Sequence, residues 1–355
     1  MPADFALLEP AERAEPFCPY FGRCGGCTLQ HFAPPSYLAL KQELVAEALR
    51  RAHLVADVAV PIEAHGDGRR RATFHARGTA VGYMARHSHD LIDIAACPIL
   101  VPALESRGPA LVRPIAATIG DCDVALTATD TGLDVAVRTE RKGVRPERLT
   151  LLAQRSALAR LSLNGETVLE ARAPALRMSK AMVEIPTGSF LQATAMAEQT
   201  LAQLVVEGVG GAKSVADLFC GLGPFALRLA ETTRVFAADS DRAAIAALQK
   251  AANHAKGLKP IAVASRDLFR DPLAPVELGP YDAVVFDPPR AGAEAQAREL
   301  ARSKVKTVVA VSCEPRTFAR DAAILVAGGY RLETVTPVDQ FAWSMHVEMV
   351  GVFRR

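Results

Sequence analysis

The second half of the chain alternates between short apolar segments of strand character and segments of helical periodicity, starting at about Pro186. The strand-like segments are SVADLFCG, RVFAADS, YDAVVFDPP and TVVAVSCEP, and helices begin at PFALRLAE and DRAAIAALQKAANHAKG. Because these strands are almost continuously apolar, both faces of their sheet must be covered, which is typical of a parallel sheet between helical layers. The pattern therefore predicts an α/β domain over residues 186–355.

Residues 1–185 follow a different pattern, which predicts a separate mixed α+β domain. The segment SYLALKQELVAEALRRA carries apolar residues at helical spacing, so we expect a helix at about residues 36–52 that packs on the following domain. Segments such as RRRATFHARGTAVGYMAR and LDVAVRTER alternate in polarity and are separated by Gly, Asp and Pro. This alternation predicts antiparallel strands.

The composition limits the classes of protein to consider. The chain has 355 residues, 50% of them hydrophobic, and a formal net charge of +2. With so small a charge, a polyanionic partner must be held by a local basic patch. The acidic N-terminus has no basic start followed by an apolar core, and no apolar segment reaches the length of a membrane span. We therefore expect a cytoplasmic protein, a monomer, with no membrane partner.

Four polar side chains fall at or near the ends of the predicted parallel strands: Asp217, Asp239, Asp287 and Cys313. In open parallel sheets, ligands bind beyond the carboxyl ends of the strands, near the point where the strand order reverses. The thiol is the least expected of the four, because an unreactive cysteine usually lies inside an apolar run. A space-filling cysteine remains the alternative, but four polar groups on one edge predict a site.

The glycine loop DLFCGLGPFA after the first parallel strand is open to two interpretations. Gly221 and Gly223, with Asp239 further on, fit a dinucleotide-binding fingerprint, which predicts a nicotinamide-linked oxidoreductase. The same loop also suits S-adenosylmethionine, whose cationic amino-acid part favours a nearby carboxylate. Asp217 favours the methyl donor, because a carboxylate at that position would repel a pyrophosphate.

A thiol on the same edge as a methyl donor has a specific chemical use. Addition of a thiolate to C6 of uracil makes C5 nucleophilic enough to attack a sulfonium methyl group. This chemistry needs a partly exposed cysteine with a lowered pKa, for which Cys313 is placed. It also needs a group that holds O4 and N3–H, which Asp287 can supply, and a base for the C5 proton, which Glu348 in MHVEMVGVF can supply.

The second half resembles the RNA 5-methyluridine methyltransferases that act on 23S rRNA and on the tRNA T-loop. The resemblance is carried by SFLQATAMAEQ, DLFCGLGPF, FDPPR, VSCEPRTFARD and HVEMV, in that order, from Ser189 to the C-terminus. It implies a Rossmann-like class I methyltransferase sheet with S-adenosylmethionine as cofactor. It further implies Cys313 as the nucleophile, Glu348 as the base and Asp287 as the acid that orients the substrate.

The resemblance also implies which residues contact the methyl donor. These are Gln192, Phe219, Asp239 and Asp267, and we add to them the loop glycines Gly221 and Gly223 and the carboxyl group of Asp287. Pro224 departs from the family pattern, since some members carry a polar Asn there, so one side-chain hydrogen bond to the donor is missing.

Four of the seven cysteines suggest a metal site. Cys18, Cys24 and Cys27 form C-x5-C-x2-C, and Cys97 follows in IDIAACPIL. The spacing alone fits either structural zinc or an iron–sulfur cluster. The family resemblance extends to this segment and implies a [4Fe-4S] cluster, to which we assign a structural role.

The RNA contacts are expected near these cysteines. The stretch GRRRATFHAR supplies four guanidinium groups, which suit phosphates and unpaired bases, from Arg69, Arg70, Arg71 and Arg77. Several family members begin with a small β-barrel (TRAM) RNA-binding domain, and only a short acidic segment precedes Cys18 here. Its expected absence favours 23S rRNA as the substrate, with the tRNA T-loop as the alternative. A non-catalytic nucleic-acid-binding module with a metal site is a further alternative.

Overall fold

The computed structural model describes residues 9–355, and residues 1–8 of the acidic N-terminal segment lie outside the described part. After a short 3-10 helix at Pro10–Glu12, the described residues form these helices: α1 (Pro34–Arg51), α2 (Arg107–Ile119), α3 (Pro146–Arg155), α4 (Ala195–Val209), α5 (Pro224–Leu229), α6 (Arg242–His254), α7 (Pro275–Leu278), α8 (Glu294–Arg302) and α9 (Pro315–Ala327).

The strands divide into a small-sheet group and a large-sheet group. The first group and a separate hairpin comprise β2 (Arg71–Arg77), β3 (Ala80–Met84), β4 (Leu91–Asp93), β5 (Cys122–Thr129), β6 (Gly132–Arg138), β7 (Arg160–Leu163), β8 (Glu166–Glu170), β9 (Ala175–Met178) and β10 (Ala181–Glu184). The second comprises β1 (Ile62–Glu63), β11 (Ser214–Leu218), β12 (Arg234–Asp239), β13 (Ile261–Ser265), β14 (Ala283–Phe286), β15 (Thr307–Ser312), β16 (Arg331–Asp339) and β17 (Glu348–Arg354).

The large sheet has the strand order β1-β16-β17-β15-β14-β11-β12-β13. Strands β11 to β15 pair with one another in parallel, whereas β17 is antiparallel to both β15 and β16. The order reverses between β11 and β14, because β12 lies on one side of β11 and β14 on the other. The predicted α/β sheet is therefore present, with a mixed rather than all-parallel strand direction.

Both faces of the large sheet are covered, as its continuously apolar strands require. Val215, Val285 and Val309 lie in the core on one face with α4 and α6, whereas Val284 and Val308 lie in the core on the other face with α8 and α9. All five side chains are fully buried. The alternation of buried residues between the two faces follows the two-residue period of a strand.

The smaller sheet has the order β4-β3-β2-β5-β6-β7-β8 and is antiparallel except for the β6–β7 pair. Helices α2 and α3 cover one of its faces, where Phe74, Val124 and Val135 are fully buried. The remaining hairpin, β9–β10, packs on α5 and α6 of the large-sheet part.

Helix α1 and strand β1 belong to the large sheet although they precede the smaller one in the chain. Val45 and Leu49 of α1 are buried in the same core as α9, and Ile62 of β1 pairs with Val338 of β16. Residues 34–63 thus pack on the part we expect to be catalytic, and the division into residues 1–185 and 186–355 stays a prediction. No helix in residues 9–355 is long and apolar enough to cross a membrane.

Candidate active site

Three predicted site residues meet at the carboxyl edge of the parallel strands. Asp239 is the last residue of β12, Asp287 directly follows β14, and Cys313 directly follows β15. The strand order reverses beside β14, so this edge holds the crevice in which open α/β sheets bind ligands.

Glu348 reaches the same edge because the last strand runs in the opposite direction. In the pairing of β15 with β17, Ser312 lies opposite Met349, so Glu348 begins β17 next to the residue that ends β15. Its side chain is almost fully buried. Antiparallel insertion of β17 therefore brings the predicted base beside the predicted nucleophile, Cys313.

A chain of hydrogen bonds links the two carboxyl groups of the site. Gln192 donates from Nε2 to Oδ2 of Asp287 over 3.1 Å. Gln340 donates from Nε2 to Oε1 of Gln192 and to Oε2 of Glu348, over 2.7 Å in each case. Sequence reasoning predicted Gln192, Asp287 and Glu348 but missed Gln340, because a glutamine after a strand carries no distinctive signal.

Both carboxyl groups have raised pKa values. Burial raises the pKa of Asp287 to about 7, with Gln192 lowering it and Asp239 raising it to smaller extents. Burial also raises the pKa of Glu348 well above its usual range, Asp287 adds to this, and the Gln340 hydrogen bond opposes it. Perturbed carboxyl groups in a crevice are typical of sites that transfer protons.

Cys313 lies in the expected place but not in the expected protonation state. Its thiol is half-buried, and its pKa is raised to about 11 by burial and by the nearby carboxyl groups of Glu348 and Asp287, with only Arg290 lowering it. The sequence analysis expected a lowered pKa. That expectation is wrong, because two acids and partial burial outweigh one exposed arginine.

The glycine loop is packed closely against α6 and tied to the end of β12. Gly223 has φ of 78°, and a Cβ there would lie only 2.5 Å from Cδ1 of Leu248. The backbone N–H of Gly221 donates to Oδ2 of Asp239 over 2.9 Å, which ties the loop to the end of β12. Phe219 has a positive φ of 59°, an uncommon conformation for a non-glycine residue.

Asp267 of the predicted donor site and Asp217, whose position favoured a methyl donor, have different environments. Asp267 is exposed, and its Oδ1 accepts the backbone N–H of Phe269 over 3.1 Å. The ring of Phe269 lies 5.3 Å from that of Phe219, so the two rings form an apolar wall near Asp267. Asp217, which favoured a methyl donor in the sequence, is fully buried, and burial together with Asp287 raises its pKa well above the usual range.

The four predicted metal-binding thiols line one cavity of about 430 Å³. Other residues around this cavity include Arg69, Arg71, Tyr83, Phe190, Gln340 and Phe341. Burial raises the pKa of Cys27 to about 12 and that of Cys97 to about 11. In residues 9–355, no group of three or more His, Cys, Asp or Glu side chains is arranged to hold a metal ion, so the predicted four-cysteine cluster is not shown.

The four predicted RNA-binding arginines have different environments. Arg70 is almost fully buried, and its guanidinium donates to Oε2 of Glu198 over 2.5 Å, so it does not fit the expected RNA contact. Arg71 donates to the backbone oxygen of Ser189 over 2.6 Å and remains half-buried, whereas Arg77 is exposed on the same strand.

Arg69 points to the cavity of the thiols. Its guanidinium carbon lies 5.8 Å from the ring centroid of Phe341, a cation–π arrangement. A buried Nε of Arg69 has no hydrogen-bond partner among the described residues. Arg69 and Arg71 therefore share one side of the chain, and Arg70 points into the interior, as alternation along an extended segment requires.

Comparisons with known proteins agree with this geometry. The protein family described as tRNA (Uracil-5-)-methyltransferase matches residues 141–355. An uncharacterized RNA methyltransferase of Brucella suis is 49% identical, over 99% of this chain and 87% of that protein. The 23S rRNA (uracil(1939)-C(5))-methyltransferase RlmD of Pseudomonas putida is 36% identical, over 98% of this chain and 82% of that protein.

A solved structure shares the fold. The Pyrococcus abyssi tRNA (uracil-54, C5)-methyltransferase in complex with S-adenosyl-L-homocysteine is 22% identical and has a TM-score of 0.74, covering 92% of this chain and 85% of that one. The family assignment favours the methyl-donor interpretation of the glycine loop over the nicotinamide one. This chain belongs to the tRNA (Uracil-5-)-methyltransferase family and is an S-adenosylmethionine-dependent RNA (uracil-5-)-methyltransferase.

Proposed function

We propose that this enzyme methylates C5 of a single uridine in 23S rRNA through a covalent bond between Cys313 and C6 of the base. The observation that carries the proposal is the meeting of Cys313, Asp287 and Glu348 at the edge where the strand order reverses. The resemblance to RlmD of Pseudomonas putida supports 23S rRNA as the substrate.

Each of the three residues has a separate task in this proposal. Cys313 attacks C6 as a thiolate, and the electron pair of the C5–C6 bond moves toward O4, so that C5 can take the sulfonium methyl group. Asp287, with its pKa of about 7, is partly protonated at neutral pH and can both donate to O4 and accept from N3–H. Glu348 then takes the C5 proton, the C5–C6 double bond re-forms, and the sulfur leaves.

The methyl donor would lie between the glycine loop and the chain of hydrogen-bonded side chains. Bound there, S-adenosylmethionine supplies an electrophilic methyl group on a cationic sulfur. We propose that the donor is held by Gln192, Phe219, Gly221, Gly223, Asp239, Asp267 and Asp287. The aromatic wall of Phe219 and Phe269 and the bond that ties the Gly221 N–H to Asp239 support this placement.

The RNA would approach over the cavity side of the molecule. We propose Arg69 and Arg71 as contacts near the site and Arg77 as a contact further along β2, and we omit Arg70 because of its buried ion pair with Glu198. The exposed ring of Phe190 borders the same cavity. Phosphate contacts of this kind position an RNA without selecting its sequence.

We also propose that Cys18, Cys24, Cys27 and Cys97 hold a [4Fe-4S] cluster. The fit rests on their donor set, since four thiols around one cavity are the ligands such a cluster uses. The raised pKa values of Cys27 and Cys97, each increased in part by neighbouring cysteines, mean that thiolates there need a cation to be stable. The cluster would join the N-terminal loop to the segment after β4.

The covalent route can be tested by trapping. Fluorine at C5 cannot be removed as a proton, so RNA containing 5-fluorouridine should remain bound to Cys313 after methyl transfer. We expect the wild-type protein with S-adenosylmethionine to form a denaturation-resistant adduct with a 23S rRNA fragment. Cys313→Ala should form none, and a tRNA transcript of the same fluorouridine content should serve as the competing substrate.

The rRNA and tRNA substrates separate the test of the covalent route from the test of which RNA is methylated. An adduct with the tRNA transcript alone would replace the rRNA proposal by the T-loop alternative and leave the covalent route intact. Normal methylation of ordinary RNA by Cys313→Ala would refute the covalent route itself.

A further inference from the structure

Gln340 contacts both sides of the site. It follows β16 directly and is 1% exposed. Its Nε2 lies 2.7 Å from Oε2 of Glu348 and 2.7 Å from Oε1 of Gln192. It therefore bridges the proposed base and the proposed donor-binding side chain.

The orientation of the Gln340 amide is fixed by a backbone group. The N–H of Ala193 donates to Oε1 of Gln340 over 2.7 Å, so the other terminal atom must be the nitrogen. That nitrogen has two hydrogens, and the two acceptors Glu348 and Gln192 use both. Gln192 must then present its own nitrogen to Asp287, as the distance of 3.1 Å indicates.

The backbone that carries Gln340 is held from the opposite side by α1. Asp339, the residue before it, is fully buried and accepts from Lys41 over 2.9 Å, from His65 over 2.8 Å and from the hydroxyl of Tyr37. These bonds leave Gln340 little freedom to turn away from Glu348.

The charged group that acts on Glu348, Asp287, disfavours its ionised form, as does burial. Asp287 after β14 and Cys313 after β15 carry or can carry negative charge, and Asp339 of β16 is already paired with Lys41. Arg290 is the cation near Cys313. The Gln340 N–H thus supplies a hydrogen bond to a buried carboxylate that otherwise faces acidic neighbours.

We propose that Gln340 is a positioning residue for the last step of the reaction, aiming the Glu348 carboxyl group at C5 and favouring its ionised form. The inference rests on the proposed function, in which Glu348 is the base. In that step Glu348 forms a bond to the C5 proton, the C–H electron pair makes the C5–C6 double bond, and the C6–Sγ pair returns to Cys313 as a thiolate. Without the Gln340 hydrogen bond, Glu348 would be ionised only at higher pH.

The test compares the two halves of the reaction in Gln340→Leu across about pH 6 to about pH 9. Formation of the adduct with 5-fluorouridine RNA does not need Glu348 as a base. Measured at saturating S-adenosylmethionine, because Gln340 also bonds Gln192, it should stay within about threefold of wild type. Resolution of the adduct on ordinary RNA in a single turnover should slow roughly 10- to 100-fold near neutral pH. The deficit should shrink as the pH rises, because the acid limb of the profile moves upward.

Three variants serve as controls. Gln340→Met has nearly the length of glutamine and no donor, so it should give the same shift as leucine if the lost hydrogen bond, and not disturbed packing, is the cause. Gln203→Leu removes a glutamine–glutamate hydrogen bond of 2.8 Å on the exposed face of α4, and it should change neither step. Glu348→Gln should let the adduct accumulate at every pH.

The outcomes are distinct. An equal loss of both steps at all pH values in both Gln340 variants would make the residue merely structural and overturn the inference, as would an unchanged resolution step. Absence of any adduct with the wild-type protein would instead refute the proposed function.

Discussion

The thiol of Cys313 is mostly protonated near neutral pH, because burial and two acids raise its pKa to about 11. The sequence located this residue correctly at the end of a buried strand, but it could not give the charges that the fold brings next to it. Glu348 lies 35 positions further along the chain and reaches Cys313 only through the pairing of β15 with β17. A bound cationic methyl donor would lower the pKa of Cys313 by offsetting the charge of these acids.

Alkylation of Cys313 should therefore increase steeply with pH. The thiolate fraction below the pKa grows about tenfold per pH unit, so the iodoacetamide rate of the Cys313 peptide should still be rising at about pH 9. Arg290→Met removes the group that lowers this pKa and should slow alkylation about two- to threefold, whereas Arg298→Met, an exposed arginine on α8, should not. Mass spectrometry measures the alkylation rate of the Cys313 peptide, and glutathione in the same reaction serves as the reference. A plateau of that rate below about pH 8 would contradict the raised pKa.

The three consecutive arginines show what the alternation of side chains along an extended segment can and cannot predict. Three consecutive arginines in GRRR are chemically alike, and the sequence assigned all of them to RNA. In an extended segment the middle one faces opposite to its neighbours, so Arg70 enters the interior and meets Glu198 of α4. Which face is buried depends on a helix that starts more than a hundred residues later, and no local pattern records it.

At the scale of elements, α1 acts as a support for the β16–β17 connection. Lys41 is fully buried and reaches Asp339 as well as the backbone oxygens of Phe341 and His346. Tyr37 accepts the N–H of Trp343, a residue with φ of 59°. The amphipathic pattern predicted the helix itself, but a lysine at a helical position normally predicts an exposed face.

Removal of the Lys41 charge should destabilise the fold much more than removal of a surface charge on the same helix. Lys41→Met leaves the fully buried Asp339 without its cation, and we expect a loss of about 3–5 kcal/mol in the free energy of unfolding. Arg51→Met, which breaks an exposed pair with Glu47, should cost no more than about 0.5 kcal/mol.

Urea unfolding measures both values, and a double variant checks the mechanism. Lys41→Met combined with Asp339→Asn removes both charges and should be less destabilised than the sum of the single changes. Strict additivity would show that the two groups do not interact as the distance of 2.9 Å indicates.

For the whole molecule, the cavity of the four thiols and the catalytic edge share a wall. Gln340 lines the cavity and also bonds Glu348, and the Arg69–Phe341 contact lies on the same border. A cluster or ligand that fixes the residues lining the cavity would therefore also fix the position of Gln340 beside Glu348.

The cluster proposal predicts the metal content of the protein. Protein purified without oxygen should contain about four iron and four inorganic sulfide per chain, with the broad visible absorption of such a cluster. Cys97→Ser should lower both, whereas Cys122→Ala, a change in the core of the smaller sheet, should leave the iron content unchanged. One zinc per chain in place of iron would favour the alternative that the cysteine spacing left open.

The strands of the large sheet could be predicted because nearly every residue in them is apolar, as in TVVAVS of β15. Their order and the reversed direction of β17 could not, since HVEMVGVF has the same pattern for either direction. Residues 62–63 were also out of reach, because a two-residue strand has no periodicity. Pairing partners are decided by packing between distant segments, which one sequence does not display.

The pairing of α1 and β1 with the end of the chain has a consequence during synthesis. Tyr37 and Asp339 are 302 residues apart, and Ile62 has no strand partner until Val338 has been made. The apolar side of α1 must therefore leave the ribosome long before α9 exists to cover it. Through most of its translation the nascent chain therefore carries an exposed apolar surface. Chaperone binding or aggregation can compete with folding at this stage.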